Sequence, residues 1–451
     1  MITERLLQYI WEKRYYNMSD MRTVQGQKLE VVEPGKLNRN QGPDFLVGFI
    51  RLDDDILVGN IEIHIRSSEW FRHAHQYDSN YGNVILHVVW EQEEEAPNIP
   101  AFELRGRVAG TLLSYYRDLM MAPRSIACSN LLHRVNRQTW ETWKIELLRQ
   151  RLIRKAVDIG KMLESTTFSW DQVLWCLVGR AFGLPVNGDA FEAVVRSVPW
   201  HVLMRLREHP LSVEAILMGQ AGMLDGRFTD DYPRRLHREY QYQMKKYGLK
   251  APALKVKLLR MRPASLPGVR MAQLAALVPK TQHLLQRCRD ARSAEELKDI
   301  FRSRAASYWD THYRFDEESA ESPKRTGDHL LNIVILNAVV PVVFTYGRLN
   351  YMTELEDKAI QWLFEIDPEK NKFLAQWRDL GQVARNAADS QAFLELSIRY
   401  CMPRRCLDCS IARSILRGNP IGAESEKGAG NTSAHQTGDG SSDQRFEAEF
   451  G

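Results

Sequence analysis

Apolar and polar positions along the chain follow two different periods. In residues 3–16, Leu6, Leu7, Ile10 and Trp11 recur at helical spacing and share one face, with Thr3 set to cap the N-terminus. The period then falls to two. "KLEVVEPG" (28–35) predicts a strand closed by a turn, "DFLVGFIRL" (44–52) a second strand, and "DDD" (53–55) a turn. "ILVGNIEIHIR" (56–66) predicts a third strand, whose alternation separates Ile61, Ile63 and Ile65 from Glu62 and His64. Residues 67–78 read as helical or irregular, "NVILHVVWE" (83–91) as a fourth strand and "AFELRG" (101–106) as a fifth. The expected order is α-β-β-β-(α)-β-β, an α/β module over residues 1–120.

From about residue 108 the strand signal nearly vanishes. "TWETWKIELLRQRLIRKAVDIGKMLE", "DQVLWCLVGRAFGL", "AFEAVVRSV", "WHVLMRLREH" and "TELEDKAIQWLFEI" all carry helical periodicity, which predicts a large all-α domain over 121–418. The longest apolar run, "LLNIVILNAVVPVVF" (330–344), is too short for a bilayer and contains Asn332, Asn337 and Pro341, so a buried helix is expected and no membrane. After Arg417 the chain becomes Gly/Ser/Thr-rich, and 419–451 is expected to be a disordered tail.

Composition changes the picture mainly through its distribution. With 44% hydrophobic residues in 451, real cores are available. The start of the chain has no basic segment followed by an apolar one, and six cysteines are too few for a disulfide scaffold, so a cytoplasmic protein with reduced thiols is expected. Net charge is +4, divided as −5 over 1–120, +13 over 121–418 and −4 over 419–451. An acidic head beside a basic body suits a catalytic module joined to one that grips a polyanion; an arginine-rich helical protein whose charge has no such partner gives the same count.

The candidate chemistry lies in residues 38–78. Asp44 follows Gly42-Pro43 where a strand begins, and Glu62 and His64, two apart on the next strand, project from one face. If the two strands are neighbours, the three side chains converge at one sheet edge and can hold Mg²⁺ or Mn²⁺. His73 and His75 are further candidate ligands. At i and i+2 they would not share a helical face, but in an irregular segment either could reach that edge. His87, flanked by core residues in "VILHVVW", reads first as a core histidine. The spacing of a His-rich cupin site is absent.

"GPDF" (42–45) and "EIH" (62–64), 18 residues apart in an α-β-β-β-α-β context, resemble the PD-(D/E)XK nuclease superfamily. The resemblance implies metal-dependent phosphodiester hydrolysis, with Asp44, Glu62 and His64 as the catalytic set. Asp44 and Glu62 would hold the metal, joined by the carbonyl of Ile63 and by a first-helix glutamate, Glu4 or Glu12. His64 departs from the usual Lys; neutral, it could orient the attacking water or ligate the metal. The very-short-patch repair endonucleases of that superfamily also use histidines, and "EIHIRSSEWFRHAH" is similar to theirs in His64, Trp70, His73 and His75. Gln76 and Tyr81 are five apart, so the Gln–Tyr pair of the RecB-type branch is not matched. Over nearly everything before residue 418 the chain also resembles an uncharacterised bacterial family, which implies no activity.

In the body, Pro263 and Pro267 stiffen "KVKLLRMRPASLPGVRMAQLAAL" (255–277), and Arg260, Arg262 and Arg270 are candidate phosphate contacts, DNA being favoured over RNA. "YWDTHYRFD" (308–316) reads as aromatic core before base-stacking platform. Cys401, Cys406 and Cys409 form C-x4-C-x2-C, and with Cys128 they could hold an iron–sulphur cluster or Zn²⁺. Three functions remain open: a metal-dependent nuclease acting in DNA repair or processing, a nuclease-like module that has lost activity and binds nucleic acid or protein, and a Zn²⁺ or Fe²⁺ site serving small-molecule chemistry.

Overall fold

The computed structural model describes residues 2–93, 95–166, 169–257 and 266–418. Arg260, Arg262 and the expected disordered tail 419–451 lie outside the described residues. The chain divides into two compact units: up to Arg117 with Leu131–Arg134 and the stretch from Ser414, and Asp118–Asn130 with Val135–Arg413. A mixed α/β unit is thus followed by a large helical one.

In the first unit, α1 (Glu4–Glu12) begins where the Thr3 hydroxyl accepts the Leu6 N–H at 3.2 Å. Leu6, Leu7, Ile10 and Trp11, the expected apolar face, are fully buried. Six strands follow: β1 (Leu29–Glu33), β2 (Lys36–Leu37), β3 (Phe45–Leu52), β4 (Asp55–Arg66), β5 (Val84–Glu91) and β6 (Ala101–Glu103). Only β2, two residues long, leaves no trace in the sequence pattern. The sheet runs β1-β3-β4-β5-β6, with β2 also on β3. The pairings of β3 are antiparallel, whereas β4–β5 and β5–β6 are parallel.

A parallel step needs a crossover. Residues 67–83 supply it through α2 (Glu69–Arg72) and two 3₁₀ turns, His75–Tyr77 and Ser79–Tyr81. Register then sorts the two faces of the sheet. Phe45 pairs with Ile61, and Ile63 with Val88 and onward with Phe102, forming an apolar face on which Trp11 packs 6.4 Å from the Phe102 ring. The opposite face at the same level carries Glu62, its cross-strand partner His87, and His64. Close approach keeps β3 on β4 there: Val47 adopts φ +55° at a bulge, and a Cβ on Gly48 would lie 2.6 Å from Ile61 Cδ1.

The second unit is built around α3 (Arg137–Ser165), capped by Asn136 through the Thr139 N–H at 2.8 Å. Helix Asp328–Leu349 is long and apolar enough to cross a membrane by length and composition, yet Leu331, Val334, Ile335, Val339, Val340 and Val343 are fully buried in the helical core. Its middle widens to a π turn, Ile335–Val339, just before Pro341, which has no N–H to donate. The all-α expectation fails at one hairpin, where β7 (His312–Arg314) pairs with β8 (Glu317–Glu318). Asp316, in the left-handed region at φ +61°, makes its turn. The neighbouring aromatics are packing: Tyr308 stacks on His312 at 4.0 Å and on Tyr232 at 4.7 Å, and buried Trp309 donates to Glu214 at 2.8 Å.

Candidate metal centre

Asp44 and Glu62 meet at the start of the β3–β4 pair. The Asp44 backbone N–H donates to Glu62 Oε2 at 2.9 Å, and the Ile63 N–H donates to Asp44 Oδ2 at 3.2 Å. Gln8 of α1, not anticipated from sequence, donates to Asp44 Oδ1 at 2.8 Å. Burial raises both carboxyls well above the usual range; Glu4 then raises Asp44 further, and Asp44 raises Glu62. Glu4 is itself raised by burial and by Glu69. Glu4 is therefore the first-helix carboxylate that faces the site. Glu12, at the far end of α1, lies 2.6 Å from Lys13 beside a separate groove lined by Glu33 and Lys36.

The crossover delivers the histidines. α2 ends at His73, Ala74 takes the left-handed conformation (φ 60°, ψ 27°), and the chain re-enters a 3₁₀ turn at His75. That reversal turns both i and i+2 histidines toward β4, which a continuous helix could not do. His73 Nδ1 lies 3.3 Å from His64 Nε2, and Glu62 Oε1 lies 3.5 Å from His64 Nε2 and 3.4 Å from His75 Nε2. The three histidine ligand atoms lie within 4.8 Å of one another, the one such His/Cys/Asp/Glu group of three among the described residues. A tetrahedral ion with ligands at about 2.0–2.2 Å needs ligand–ligand edges of roughly 3.3–3.6 Å, a range that holds the His64–His73, Glu62–His64 and Glu62–His75 separations.

Burial holds His64 and His87 in the neutral form. Burial, then His87, His75 and His73, pushes His64 down to about 2, so its approach to Glu62 is no ion pair. Burial and His75 bring His87 down to about 4, and burial with His73 lowers His75. His64 Nδ1 is 2.8 Å from His87 Nε2, so His87 can fix the His64 tautomer that leaves Nε2 free as a ligand. His87 thus belongs to the site as a positioning residue; the parallel register that pairs it with Glu62 was not visible in sequence. Tyr81 stacks on His75 at 3.8 Å, Trp70 packs edge-on to His75 and tilted against His87, and Glu69 ties the end of β4 by accepting the Ile65 N–H at 2.9 Å. His75 Nε2 is buried without a hydrogen-bond partner, a lone pair aimed into the cluster.

The other candidates lie in the helical unit. Arg270 sits half-buried in helix Pro267–Ala275, its Nη1 3.5 Å from Gln273 Oε1, and burial lowers its guanidinium, so it is not a freely presented phosphate fork. Cys128, Cys401, Cys406 and Cys409 are free thiols of that unit.

Fold and site define a two-unit protein whose mixed α/β unit carries a candidate metal centre of three histidines and a glutamate. The chain belongs to the family described as "Protein of unknown function (DUF2851)", whose model matches residues 4–372. No curated protein and no solved structure matches it.

Proposed function

We propose that the protein is a metal-dependent hydrolase of phosphodiester bonds in nucleic acid, with its reaction centre at Glu62, His64, His73 and His75. The carrying observation is the convergence of three imidazoles whose ligand atoms lie within 4.8 Å of one another, with Glu62 Oε1 at 3.5 Å and 3.4 Å from two of them. The strand order, with "GPDF" entering β3 and "EIH" on β4, supports the nuclease reading, and the basic residues of 121–418 support a polyanionic substrate.

The donor set fits a divalent ion but shifts its expected identity. Imidazole nitrogens favour Zn²⁺ or Fe²⁺, with Mn²⁺ tolerated, over the Mg²⁺ that a carboxylate pair would select. Such an ion would polarise the scissile phosphate and lower the pKa of a bound water. Glu62 and the three histidines would hold it, and His87 would keep the His64 tautomer. Asp44, oriented by Gln8 and the Ile63 N–H, would accept a proton from the attacking water. Glu4 would add negative charge that favours the cation.

The nitrogen-rich donor set favours a second reading, the same centre acting on a small-molecule substrate. Wild type and a His73→Ala/His75→Ala variant, each loaded with Mn²⁺, Zn²⁺, Fe²⁺ or Mg²⁺, distinguish the two on linear, circular, single-stranded and mismatched DNA and on RNA. Cleavage by wild type with a transition ion, lost in the variant, is the expected result. Metal binding without cleavage of any of these polymers would reject the nuclease reading.

A further inference from the structure

Four cysteines of the helical unit come together far from each other in sequence. Cys401 ends the π turn Ser397–Cys401, Cys406 opens the 3₁₀ turn Cys406–Asp408, and Cys409 directly precedes helix Ser410–Arg417. Arg404, in the left-handed region at φ +56°, folds this loop back on itself. Its Nη2 donates to the carbonyls of Ala122 at 2.6 Å and Arg124 at 2.8 Å, which brings the segment bearing Cys128 against the loop. Cys128, Cys406 and Cys409 are buried and Cys401 nearly so, with no disulfide among them. Burial raises all four thiols, and their neighbours in the group raise Cys128, Cys401 and Cys406 further.

Two features point to negative charge that neutral thiols do not provide. The backbone N–H groups of Ile411 and Ala412, at the start of helix Ser410–Arg417, donate toward the Cys409 sulphur, an arrangement that suits a thiolate. Arg404 Nη1 is buried beside the cysteines without a partner. Spacing then selects the occupant. One zinc ion, with Zn–S near 2.3 Å, needs thiolates about 3.8 Å apart. No three of these sulphurs lie within 4.8 Å of one another, since the histidine trio alone meets that condition among the described residues. A polynuclear centre spans a wider set of ligands.

The geometry points to an iron–sulphur cluster held by Cys128, Cys401, Cys406 and Cys409, fastening the 401–409 loop to the segment that carries Cys128. The cluster does not depend on the hydrolase reading.

The test purifies the full chain without oxygen, reconstitutes it with Fe²⁺ and sulphide, and assays iron, acid-labile sulphide and visible charge-transfer absorption. Near-equal iron and sulphide are expected in wild type and in His73→Ala/His75→Ala, which separates this iron from any held by the histidines. Both should be lost in Cys128→Ser and in Cys406→Ser/Cys409→Ser, with helical circular dichroism retained. Cys176→Ser, a buried cysteine elsewhere in the unit, controls for thiol loss and should keep the cluster. Stoichiometric zinc without sulphide, iron and sulphide persisting in the serine variants, or neither metal in wild type would each overturn the assignment.

Discussion

Glu62 and Asp44 are the residues whose chemistry depends most on their surroundings. In the metal-free protein burial pushes both carboxyls toward the protonated form, with Glu4 adding to the effect on Asp44 and Asp44 to that on Glu62, while His64 and His87 are held neutral. The two pairs shift stability in opposite directions. A raised carboxyl contributes stability that is lost as pH rises through its folded-state value; a lowered histidine contributes stability that is lost as pH falls below its ordinary value near 6.5. Between the ordinary carboxyl and histidine values the contributions oppose each other. Above about pH 6.5 only the carboxyls still titrate, so the metal-free protein should become less stable toward alkaline pH. Each group still releasing its proton costs about 1.4 kcal/mol per pH unit. Bound Zn²⁺ or Mn²⁺ replaces those protons, so metal affinity should rise over the same interval. Thermal melts from pH 6.5 upward, with and without metal, check both signs. A metal-free melt equally stable across that range, or unchanged by Asp44→Asn/Glu62→Gln, would contradict the assignment.

At the scale of an element, the crossover 67–83 decides whether there is a site. The two sheet strands supply Glu62, His64 and His87, but His73 and His75 depend on the single left-handed residue between them. Ala74→Gly should keep metal affinity, because glycine occupies that conformation without strain. Ala74→Val should weaken binding at least tenfold and cost about 1–2 kcal/mol, because a β-branched side chain resists φ +60° and displaces His75. Isothermal titration with Zn²⁺ and a thermal melt of the metal-free protein separate the two effects. Equal affinity in the valine variant would show that the turn does not position the ligand. Legibility followed local order here. The longer strands and α1 were evident from periodicity because one face of each is apolar, whereas the short turns of 67–83 leave no period to read.

At the scale of the molecule, the helical unit closes around buried charge as well as apolar surface. Lys144 of α3 lies 2.8 Å from Asp389, which also accepts from Arg385 Nε at 3.0 Å, and Arg151 and Arg154 both reach Glu395. Asp389→Ala should destabilise the unit by about 3 kcal/mol, since removing one partner of a buried pair leaves the other uncompensated. Chemical denaturation should reveal this as a lower midpoint at unchanged slope, and a loss below about 0.5 kcal/mol would refute it. The sequence by itself determined the α/β head, the helical body, the buried character of 330–344, and the two strands that carry Asp44, Glu62 and His64. Those features follow from the period of apolar positions, which is a local property of the chain. Tertiary structure decided that Glu4 rather than Glu12 faces the site and that His87 orients His64. It also decided that His73 and His75 turn inward and that Cys128 meets cysteines more than 270 residues away. Each of these depends on strand register, a left-handed turn or a long-range loop anchor, and such contacts are chosen by packing and hydrogen bonding between segments that carry no mutual pattern in sequence.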